Sequence, residues 1–430
     1  MPESSAGTSV ARADQTLQPE ATLTRDTLQR ARSPRHLALF IRSLGGGGGA
    51  ERATVNLAVE FAKRGHRVDL VLARAEGHFF DALPASVRVV DLATRTSFAA
   101  LPAIARDPRN ALKLMPALLN LDPPRVVGSL PALVRYLRAE RPEAMFAALD
   151  YSNITAIWAC HLSGVRTRLV ISVQNTLSSK IEHMKARRLR CLPGVIRHFY
   201  PWADAIATVS DGVADDLARV TGIPRTAITT THNPMVTPDL VRAAQQPVDH
   251  PWYKPDEPPV LLGIGKLKLQ KDFPTLIRAF AKIRQKRPSR LVILGEGPQR
   301  SELASLASSL GVGGDVDLPG FVSNPFAFLG HSSVFVLSSL FEGLPSVLME
   351  ALACGCPVVS TDCPSGPFEI LDGGRYGCLV PMSDPDALAE AVCAALDDPP
   401  DPERLLERAQ VFSASAVADR VLCLMIGDAA

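Results

Sequence analysis

The chain has 430 residues, of which 47% are hydrophobic and 21% are charged, a composition typical of a globular protein. Because a chain of this length exceeds one ordinary hydrophobic core, we expect two domains. The net charge of +2 excludes a general attraction to nucleic acid, so any basic function must be local.

The N-terminal region over 1–33 is polar, with scattered charges and no apolar core. This pattern predicts a disordered extension and not a secretory signal. No stretch of the chain reaches the roughly 18 apolar residues that a membrane span requires. The eight cysteines lack paired spacing, which favours free thiols in a reducing compartment. The sequence therefore predicts a cytoplasmic protein.

From residue 36 onward, short apolar strands alternate with amphipathic helices, which is typical of parallel α/β layers. In the first half, the pattern predicts a helix over 51–63 and strands over 37–41, 68–72, 87–90, 144–149, 169–173, 205–209 and 227–231. Prolines between 236 and 258 interrupt the pattern, so we place a linker there.

The second half repeats this arrangement. It predicts strands over 260–265, 291–294, 316–318, 334–337, 357–360 and 378–380, and helices over 273–286, 299–310, 385–396 and 402–425. We therefore predict an α/β fold with two doubly wound Rossmann-like domains that face a central cleft. The first domain covers 34–235 and the second 259–410, and a C-terminal helix within 411–430 can pack back on the first domain.

Two segments of the first domain combine apolar and basic residues. Residues 98–137 contain proline-punctuated apolar helices, for which packing on the sheet and contact with lipid are both alternatives. Residues 180–198 hold six Lys or Arg against one acid, Glu182. Such a segment is either a solvated face or a surface for an anionic acceptor or lipid headgroups. The candidate acceptor or membrane residues are Lys185, Arg187, Arg188 and Arg190.

A run of five glycines separates the first predicted strand from the first helix. Backbone without side chains at a helix start lets a phosphate or a sugar approach closely, so Gly48 and Gly49 are candidate ligand contacts. A nicotinamide cofactor would require an acid at the end of the second strand, whereas Asp69 lies inside that strand. The glycine run is therefore only weak support for such a cofactor.

The loop that follows the first strand of the second domain carries Lys266 and Lys271. Ligands of open α/β sheets bind beyond the carboxyl ends of the strands, which places this loop beside the predicted site. The two lysines can pair with a diphosphate and neutralise the charge that develops on it as a sugar departs.

The segment 341–353 reads FEGLPSVLMEALA and is the most informative in the chain. Pro345 favours a helix start, so Glu342 lies at the mouth of a helix and Glu350 lies inside it. Backbone N–H groups at the positive end of the helix dipole form an anion site. They belong to Gly343, Leu344 and Ser346. A carboxylate beside this site can hold the hydroxyls of a sugar next to its diphosphate, which indicates a nucleotide-sugar.

Two further turns close strands of the second domain. Gly295-Glu296 and Phe321-Val322 are candidates to line a nucleotide, although each alone is more often a plain turn. Asp315 and Asp317 lie on one face at a strand start, and the clustered cysteines flank a turn and a strand. We therefore predict no metal site and no cofactor.

Together, these segments resemble the GT-B-fold, retaining glycosyltransferases of family 4. The resemblance extends over residues 36–425, is weak over 95–145 and is most specific at the Glu342…Glu350 pair. The other matching segments are Gly45–Arg52, Asn233-Pro234, Gly265–Asp272, Gly295–Pro298 and Pro364–Leu371.

The resemblance implies a role for each residue at a matching position. Glu342 would bind donor-sugar hydroxyls near the reacting carbon, and Glu350 would bind the ribose. The diphosphate would contact Gly49, Lys266 and Lys271, and Phe321-Val322 would lie by the base. The family is expected to need no metal and to retain anomeric configuration by front-face attack. The leaving phosphate would then accept the proton of the acceptor.

Two positions depart from the family pattern. Lysine replaces a frequent arginine at Lys266 and keeps the charge without bidentate geometry. Gln174 replaces a frequent histidine that contacts the donor sugar, and glutamine can form hydrogen bonds but cannot carry a proton.

The resulting hypothesis is an enzyme of polysaccharide or lipopolysaccharide biosynthesis. It would move a hexose-type unit from a nucleotide-sugar to a lipid-linked or polysaccharide acceptor, with UDP as the commonest carrier in the family. Peripheral contact with the inner face of the cytoplasmic membrane would accompany a lipid-linked acceptor. The alternative is a non-catalytic member that binds a nucleotide-sugar or a partner protein.

Overall fold

Thirteen parallel strands form two sheets in the computed structural model, which describes residues 33–45, 48–77, 79–94, 96–118, 124–183 and 187–427. The strands of the first sheet are β1 His36–Ile41, β2 Arg67–Leu72, β3 Val87–Asp91, β4 Ala144–Ala148, β5 Arg168–Val173, β6 Ala205–Thr208 and β7 Ile228–Thr230. Those of the second are β8 Val260–Ile264, β9 Arg290–Leu294, β10 Val316–Gly320, β11 Val334–Leu337, β12 Val358–Thr361 and β13 Cys378–Val380. The N-terminal extension predicted over 1–33 lies outside the described residues except for Ser33.

Both sheets are doubly wound. The strand order is β3-β2-β1-β4-β5-β6-β7 in the first sheet and β10-β9-β8-β11-β12-β13 in the second. In each sheet the first strand lies in the middle, and later strands are added first on one side of it and then on the other. The order changes sides between β1 and β4 in the first sheet and between β8 and β11 in the second. Ligands bind at such reversal points, outside the carboxyl ends of the strands. The prediction of two Rossmann-like α/β domains is confirmed.

Helices connect the strands on both faces of each sheet. In the N-terminal domain they are Gly49–Lys63, Leu101–Ile104, Pro108–Leu118, Leu130–Glu140, Asp150–Ser163, Leu177–His183, Arg187–Phe199 and Asp211–Thr221. The others are Pro238–Ala244, Phe273–Lys286, Arg300–Ser309, Pro325–His331, Ser346–Ala353, Pro367–Ile370, Pro385–Asp397, Pro402–Ala409 and Ala414–Ile426. No helix of the described ranges combines the length and the apolar character needed to cross a membrane.

Two elements differ from the sequence prediction. The region 236–258 contains the helix Pro238–Ala244, whose first turn is capped by the Thr237 hydroxyl. The single helix predicted over 402–425 is two helices, because the chain is extended at Ser413 and the Ser413 side chain accepts the N–H of Ala416. The break lets the backbone carbonyl of the fully buried Phe412 accept hydrogen bonds from the N–H groups of Met235 and Val236.

The second of these helices, Ala414–Ile426, packs on the N-terminal domain. It contacts the helix Gly49–Lys63 and strands β4 and β5. Its apolar residues Val417, Val421 and Met425 are buried in the same cluster as residues of β1 and β2. The guanidinium of Arg168 also donates a hydrogen bond to the carbonyl of Leu424 over 2.8 Å. The chain thus returns to its first domain after completing the second.

A charged network lies at the amino-terminal part of the first sheet. The fully buried Asp69 of β2 accepts hydrogen bonds from Arg88 (2.9 Å) and Tyr136 (2.7 Å) and lies 2.8 Å from His36. Burial alone would raise the pKa of Asp69, but the hydrogen bonds from Arg88, Tyr136 and His36 lower it below its usual value. Arg88 also pairs with Glu140 at 2.9 Å. Although His36, Asp69 and Glu140 are close enough to share a cation, arginine already compensates both carboxylates.

Replacing Asp69 with asparagine should lower the free energy of unfolding at pH 7 by about 1–3 kcal/mol, because the fully buried side chain loses the charge that strengthens its hydrogen bonds with Arg88 and Tyr136. The lowered pKa means that ionised Asp69 stabilises the fold above its ordinary value of 3.8 and loses this effect as pH falls through the folded-state pKa. The difference from wild type in urea unfolding should therefore shrink in acid. Glu143→Gln is the control, since that side chain is 52% exposed and its pair with Arg35 contributes less than about 1 kcal/mol.

Candidate active site

A cavity of about 330 Å³ lies where loops from the carboxyl ends of the two sheets meet. On the N-terminal side it is lined by Gly48, Gly49, Ala50, Arg52, Gln174, Asn175 and Asn233. On the C-terminal side it is lined by Ile264, Gly265, Lys266, Lys268, Gln270, Lys271, Pro325, Glu342, Gly343, Leu344, Pro345, Ser346, Val347 and Glu350. The loops after β1, β5, β7, β8 and β11 thus converge on one site.

Glu342 lies on the loop after β11, and its carboxylate is fixed by three neighbours. Lys271 Nζ lies 2.7 Å from Oε1, and the Ser339 hydroxyl donates to the same oxygen over 2.7 Å. The Gln270 amide donates to Oε2 over 3.3 Å and to the carbonyl of Phe341 over 2.9 Å. Glu342 is buried, yet it lines the cavity, so a carboxylate oxygen remains able to accept hydroxyl groups from a ligand.

The helix Ser346–Ala353 begins at the floor of this cavity. Its first helical residue is Ser346, one residue later than predicted, and Pro345 precedes it with extended geometry. No described side chain caps this helix start, so its N–H groups are available to an anion at the positive end of the dipole. Gly49 approaches closely from the other domain, because a Cβ atom there would lie 3.2 Å from Ser346 Oγ.

A cationic loop faces the helix start. Lys266, Lys268 and Lys271 all line the cavity. Desolvation and then the neighbouring charges of Lys271 and Lys266 lower the pKa of Lys268, which indicates a concentration of positive charge. The cluster and the helix dipole together suit a ligand with at least two negative charges.

Gly295 shapes this loop and does not line the cavity. A Cβ atom on Gly295, whose φ is +135°, would lie 2.0 Å from the carbonyl oxygen of Gly265. Gly297 is equally constrained, because its Cβ would lie 2.3 Å from the carbonyl oxygen of Leu267. The absence of side chains at both glycines therefore lets their segment pack directly against the backbone of the loop that carries the lysines, which supports that loop.

Glu350 projects from the helix toward the N-terminal domain. Arg52 Nη1 lies 2.6 Å from its Oε1, and the Arg52 guanidinium lies 5.2 Å from the ring centre of Phe326 and 5.6 Å from that of Phe79. This ion pair joins residues 298 positions apart and connects the two domains across the cavity. Sequence reasoning missed the contact, although Arg52 belongs to the segment that follows the glycine run.

Two family descriptions match the chain. Residues 47–237 match "Glycosyltransferase Family 4", and residues 246–412 match "Glycosyl transferases group 1". A Campylobacter jejuni protein named "N-acetylgalactosamine-N,N'-diacetylbacillosaminyl-diphospho-undecaprenol 4-alpha-N-acetylgalactosaminyltransferase" is 32% identical over 255 residues, covering 59% of this chain and 67% of the relative. The chain belongs to the family 4 glycosyltransferases.

Other relatives and solved structures agree with this assignment. The lipopolysaccharide core biosynthesis glycosyltransferase LpsE of Rhizobium meliloti is 36% identical over 40% of this chain and 51% of its own length. The structure of the lipopolysaccharide outer core galactosyltransferase WaaB superposes with a TM-score of 0.64 over 91% of this chain and 99% of WaaB, at 18% identity. The structure of Anabaena HepE in complex with UDP and glucose superposes with a TM-score of 0.63 over 92% of this chain and 98% of HepE, also at 18% identity. These structures show that the glycosyltransferase has the GT-B fold.

Gln174 of the glycosyltransferase lies on the N-terminal side of the cavity. Its side chain is buried at the cavity wall, where its amide donates to the Ser172 hydroxyl over 2.8 Å. Its carbonyl oxygen accepts from the amide of Asn233 over 3.0 Å. These two contacts fix the orientation of the carboxamide, so Gln174 offers one further donor and one further acceptor position to a ligand.

The structure brings most of the predicted site residues of the glycosyltransferase together, but not all. Phe321 is 77% exposed, and neither Phe321, Val322 nor Glu296 lines the cavity. Lys185 lies outside the described residues. The other predicted basic residues, Arg187, Arg188 and Arg190, belong to the helix Arg187–Phe199, and Arg190 is exposed. The residues that sequence reasoning missed are Arg52, Asn175, Lys268, Gln270 and Ser339.

Proposed function

We propose that this glycosyltransferase moves a hexose-type unit from a UDP-linked donor to a lipid-linked or polysaccharide acceptor, with retention of anomeric configuration and without a metal ion. The observation that carries the proposal is the Lys271–Glu342 pair at the start of an uncapped helix inside the cavity between the domains. A carboxylate, cations and free backbone N–H groups are the groups that a sugar and its diphosphate require.

The helix start and the lysine loop supply the diphosphate site. N–H groups of the first turn of Ser346–Ala353 would bind phosphate oxygens. Lys266 and Lys271 would stabilise the negative charge that grows on the diphosphate as the bond to the sugar breaks. A divalent metal usually supplies this stabilisation in phosphate chemistry, and here fixed cations of the protein take its place.

Glu342 would orient the sugar. Lys271 and Ser339 already occupy one of its oxygens, so the carboxylate is held still and presents its other oxygen to sugar hydroxyls. Glu350 would bind the ribose from the second turn of the helix while it pairs with Arg52. The exposed ring of Phe321 and its neighbour Val322 would then pack on the base, because an exposed aromatic ring gains from stacking.

The ion pairs favour front-face attack over a covalent intermediate. Double displacement uses a carboxylate nucleophile at the anomeric carbon with a second group as acid and base, and pairing with a cation makes a carboxylate a weaker nucleophile. Among the described residues that line the cavity, the carboxylates are Glu342 and Glu350, and a cation holds each of them. The bond from the anomeric carbon to phosphate would break as the acceptor oxygen bonds to the same face. The proton of the acceptor would pass to the departing diphosphate, leaving UDP.

The comparisons favour an acceptor on a lipid or polysaccharide carrier. The name of the Campylobacter relative specifies a diphospho-undecaprenol acceptor, and LpsE is named for the lipopolysaccharide core. The structure of HepE contains UDP and glucose, which favours a UDP-linked hexose donor for this chain as well. Such an acceptor would place the glycosyltransferase at the cytoplasmic face of a membrane.

A panel of nucleotide-sugars tests the proposal directly. A UDP-hexose should raise the midpoint of thermal unfolding, with a gain of about 2.7 kcal/mol at a concentration 100 times its Kd. The same compound should be consumed when a polyprenyl-diphosphate-linked saccharide is added, and EDTA should leave the rate unchanged. The proposal fails if no nucleotide-sugar stabilises the protein or if turnover requires a metal.

The proposed membrane contact rests on a pair of helices in the N-terminal domain. Pro108–Leu118 packs beside Arg187–Phe199, with His198 Nε2 located 2.7 Å from Asn110 Oδ1. Arg190 and Arg197 are exposed and, at seven residues apart, share one face of their helix. On the neighbouring helix, Leu112 is 70% exposed next to the exposed Lys113. An apolar side chain among cations suits an anionic lipid surface.

Reversing both charges, Arg190→Glu with Arg197→Glu, should weaken sedimentation with phosphatidylglycerol vesicles by at least about thirtyfold, since the loss of each cation near such a surface costs about 1 kcal/mol and the new carboxylates are repelled. High salt should reduce the binding of wild type. The matched control is Arg278→Glu with Lys286→Glu on the exposed face of the helix Phe273–Lys286 in the other domain. If the two double variants bound the vesicles equally well, the surface formed by these two helices would not be the membrane contact.

A further inference from the structure

The two domains also meet outside the donor cavity, where the helix Asp211–Thr221 faces the loop after β12. This helix follows β6 of the first sheet, and the loop contains Ser365 and the short helix Pro367–Ile370 of the second sheet. Gly212 is close to the loop, because a Cβ atom there would lie 3.0 Å from the Cα, Cβ and Oγ atoms of Ser365. The contact therefore depends on glycine at the first turn of the helix.

Glu369 binds the start of this helix across the domain boundary. Its Oε2 accepts the N–H of Asp211 over 2.9 Å, and its Oε1 accepts the N–H of Gly212 over 2.8 Å. These N–H groups are among the four that a helix start leaves without an internal partner. A carboxylate at this position also interacts favourably with the helix dipole. One side chain of the C-terminal domain thus caps a helix of the N-terminal domain.

A second contact links this domain boundary to the loop that carries Glu342. The hydroxyl groups of Ser210 and Ser365 lie 2.7 Å apart, and they lie 3.0 and 2.7 Å from the carbonyl oxygen of Gly343. Gly343 directly follows Glu342, so this carbonyl anchors the loop whose carboxylate lines the donor cavity. Ser210 also caps the helix by accepting the N–H of Val213.

Several charged groups surround Glu369. Burial, together with the negative charges of Asp211 and Asp215, raises the pKa of Glu369 to about 7, and the two backbone N–H bonds act in the opposite direction. Arg225 compensates both aspartates, and His232 Nε2 lies 3.9 Å from Glu369 Oε2. Arg408 donates hydrogen bonds to the backbone carbonyls of Glu369 and Ile370. At pH 8 the carboxylate is ionised, which is the form that accepts both N–H groups.

We propose that Ser365 and Glu369 are positioning residues that latch the helix Asp211–Thr221 onto the donor-binding domain and, through the carbonyl of Gly343, fix the loop that carries Glu342. The latch holds the cleft closed around a bound donor. This inference rests on the proposed function for its kinetic effect, whereas the domain contact itself does not depend on the identity of the donor.

Two variants that act from opposite sides test the latch at pH 8. Glu369→Ala removes both acceptors, and Gly212→Ala adds a Cβ that meets Ser365. Alanine forms helices better than glycine, so Gly212→Ala should unfold at the same or a higher temperature than wild type. Both variants should nevertheless lose ten- to a hundredfold in kcat/KM for the donor. Small-angle scattering of the ligand-free proteins should show a larger radius of gyration than that of wild type.

Glu403→Ala is the matched control, because this exposed glutamate occupies the first turn of the helix Pro402–Ala409. It should retain wild-type kcat/KM and radius of gyration. The latch would be overturned if Gly212→Ala had the same radius of gyration and the same kcat/KM as wild type. It would also be overturned if Glu369→Ala lost activity only in proportion to a lower unfolding temperature. If no nucleotide-sugar is turned over by wild type, the proposed function fails, while scattering of the variants still decides the latch.

Discussion

Replacing Glu342 with glutamine is expected to lower kcat for sugar transfer by at least about a hundredfold, the usual effect of removing one group that stabilises a transition state. Glutamine keeps the size of the side chain but loses the charge that Lys271 and Ser339 hold in place. In the proposed reaction, positive charge develops on the sugar as its bond to phosphate breaks, and the Glu342 carboxylate would be the anion beside it. The measurement is steady-state kcat with a saturating UDP-hexose.

The same variant should still bind UDP. Lys271 loses its carboxylate partner but keeps its charge, and the start of the helix Ser346–Ala353 and the Arg52–Glu350 pair are unaltered. The Kd for UDP by calorimetry should therefore change less than threefold, about 0.6 kcal/mol. Glu302→Gln, an exposed glutamate in the helix Arg300–Ser309, should behave as wild type in both assays. Transfer by Glu342→Gln at the wild-type rate would exclude a role for this carboxylate in the reaction.

Local signals were sufficient to predict the regular elements near the site. The helix Phe273–Lys286 and the strands Val334–Leu337 and Cys378–Val380 were predicted with their observed bounds, because the apolar pattern of each ends at polar, Gly or Pro residues. The alternation of strands and helices then predicted parallel sheets, and parallel sheets place their loops at one edge. This is why so many cavity residues could be named from the sequence.

Long-range partners could not be predicted in this way. Arg52 pairs with Glu350 at a separation of 298 residues, and Gly212 binds Glu369 at 157. Nothing in the local sequence of these residues identifies their partners, because only the approach of the two domains brings them together. The break at Ser413 is similar, because it follows from the return of the chain to the first domain and from the burial of Phe412.

The predicted nucleotide residues show the same dependence on tertiary structure. Gly295 could be identified as special from its turn, but its function in the fold is to let two backbones touch beneath the lysine loop. Phe321 is exposed and outside the cavity, so its proposed role at the base still rests on resemblance. A sequence pattern identifies which residues are unusual, whereas distances decide whether they contact a ligand or another part of the chain.

Replacing Gly343 with alanine is expected to lower kcat/KM for the donor by about a hundredfold, because a misplacement of 1 Å in a catalytic group can cost that much. A Cβ atom on Gly343 would lie 2.2 Å from the backbone oxygen of Gln174 and 3.0 Å from the Cα atom of Asn175. Both atoms belong to the other domain and to its backbone, so no side-chain rotation relieves the contact. The domains must separate instead.

The unfolding temperature of this variant should remain within a few degrees of that of wild type. Gly343 does not have a positive φ, so alanine fits its backbone, and the steric conflict exists only while the cleft is closed. Gly314→Ala is the matched control, since it also lacks a positive φ and its Cβ would meet no atom within 4 Å. Scattering should therefore show a more open Gly343→Ala protein and an unchanged Gly314→Ala protein. Full activity of Gly343→Ala would contradict this prediction. It would mean that transfer does not require close contact between the loop that carries Glu342 and the backbone of Gln174.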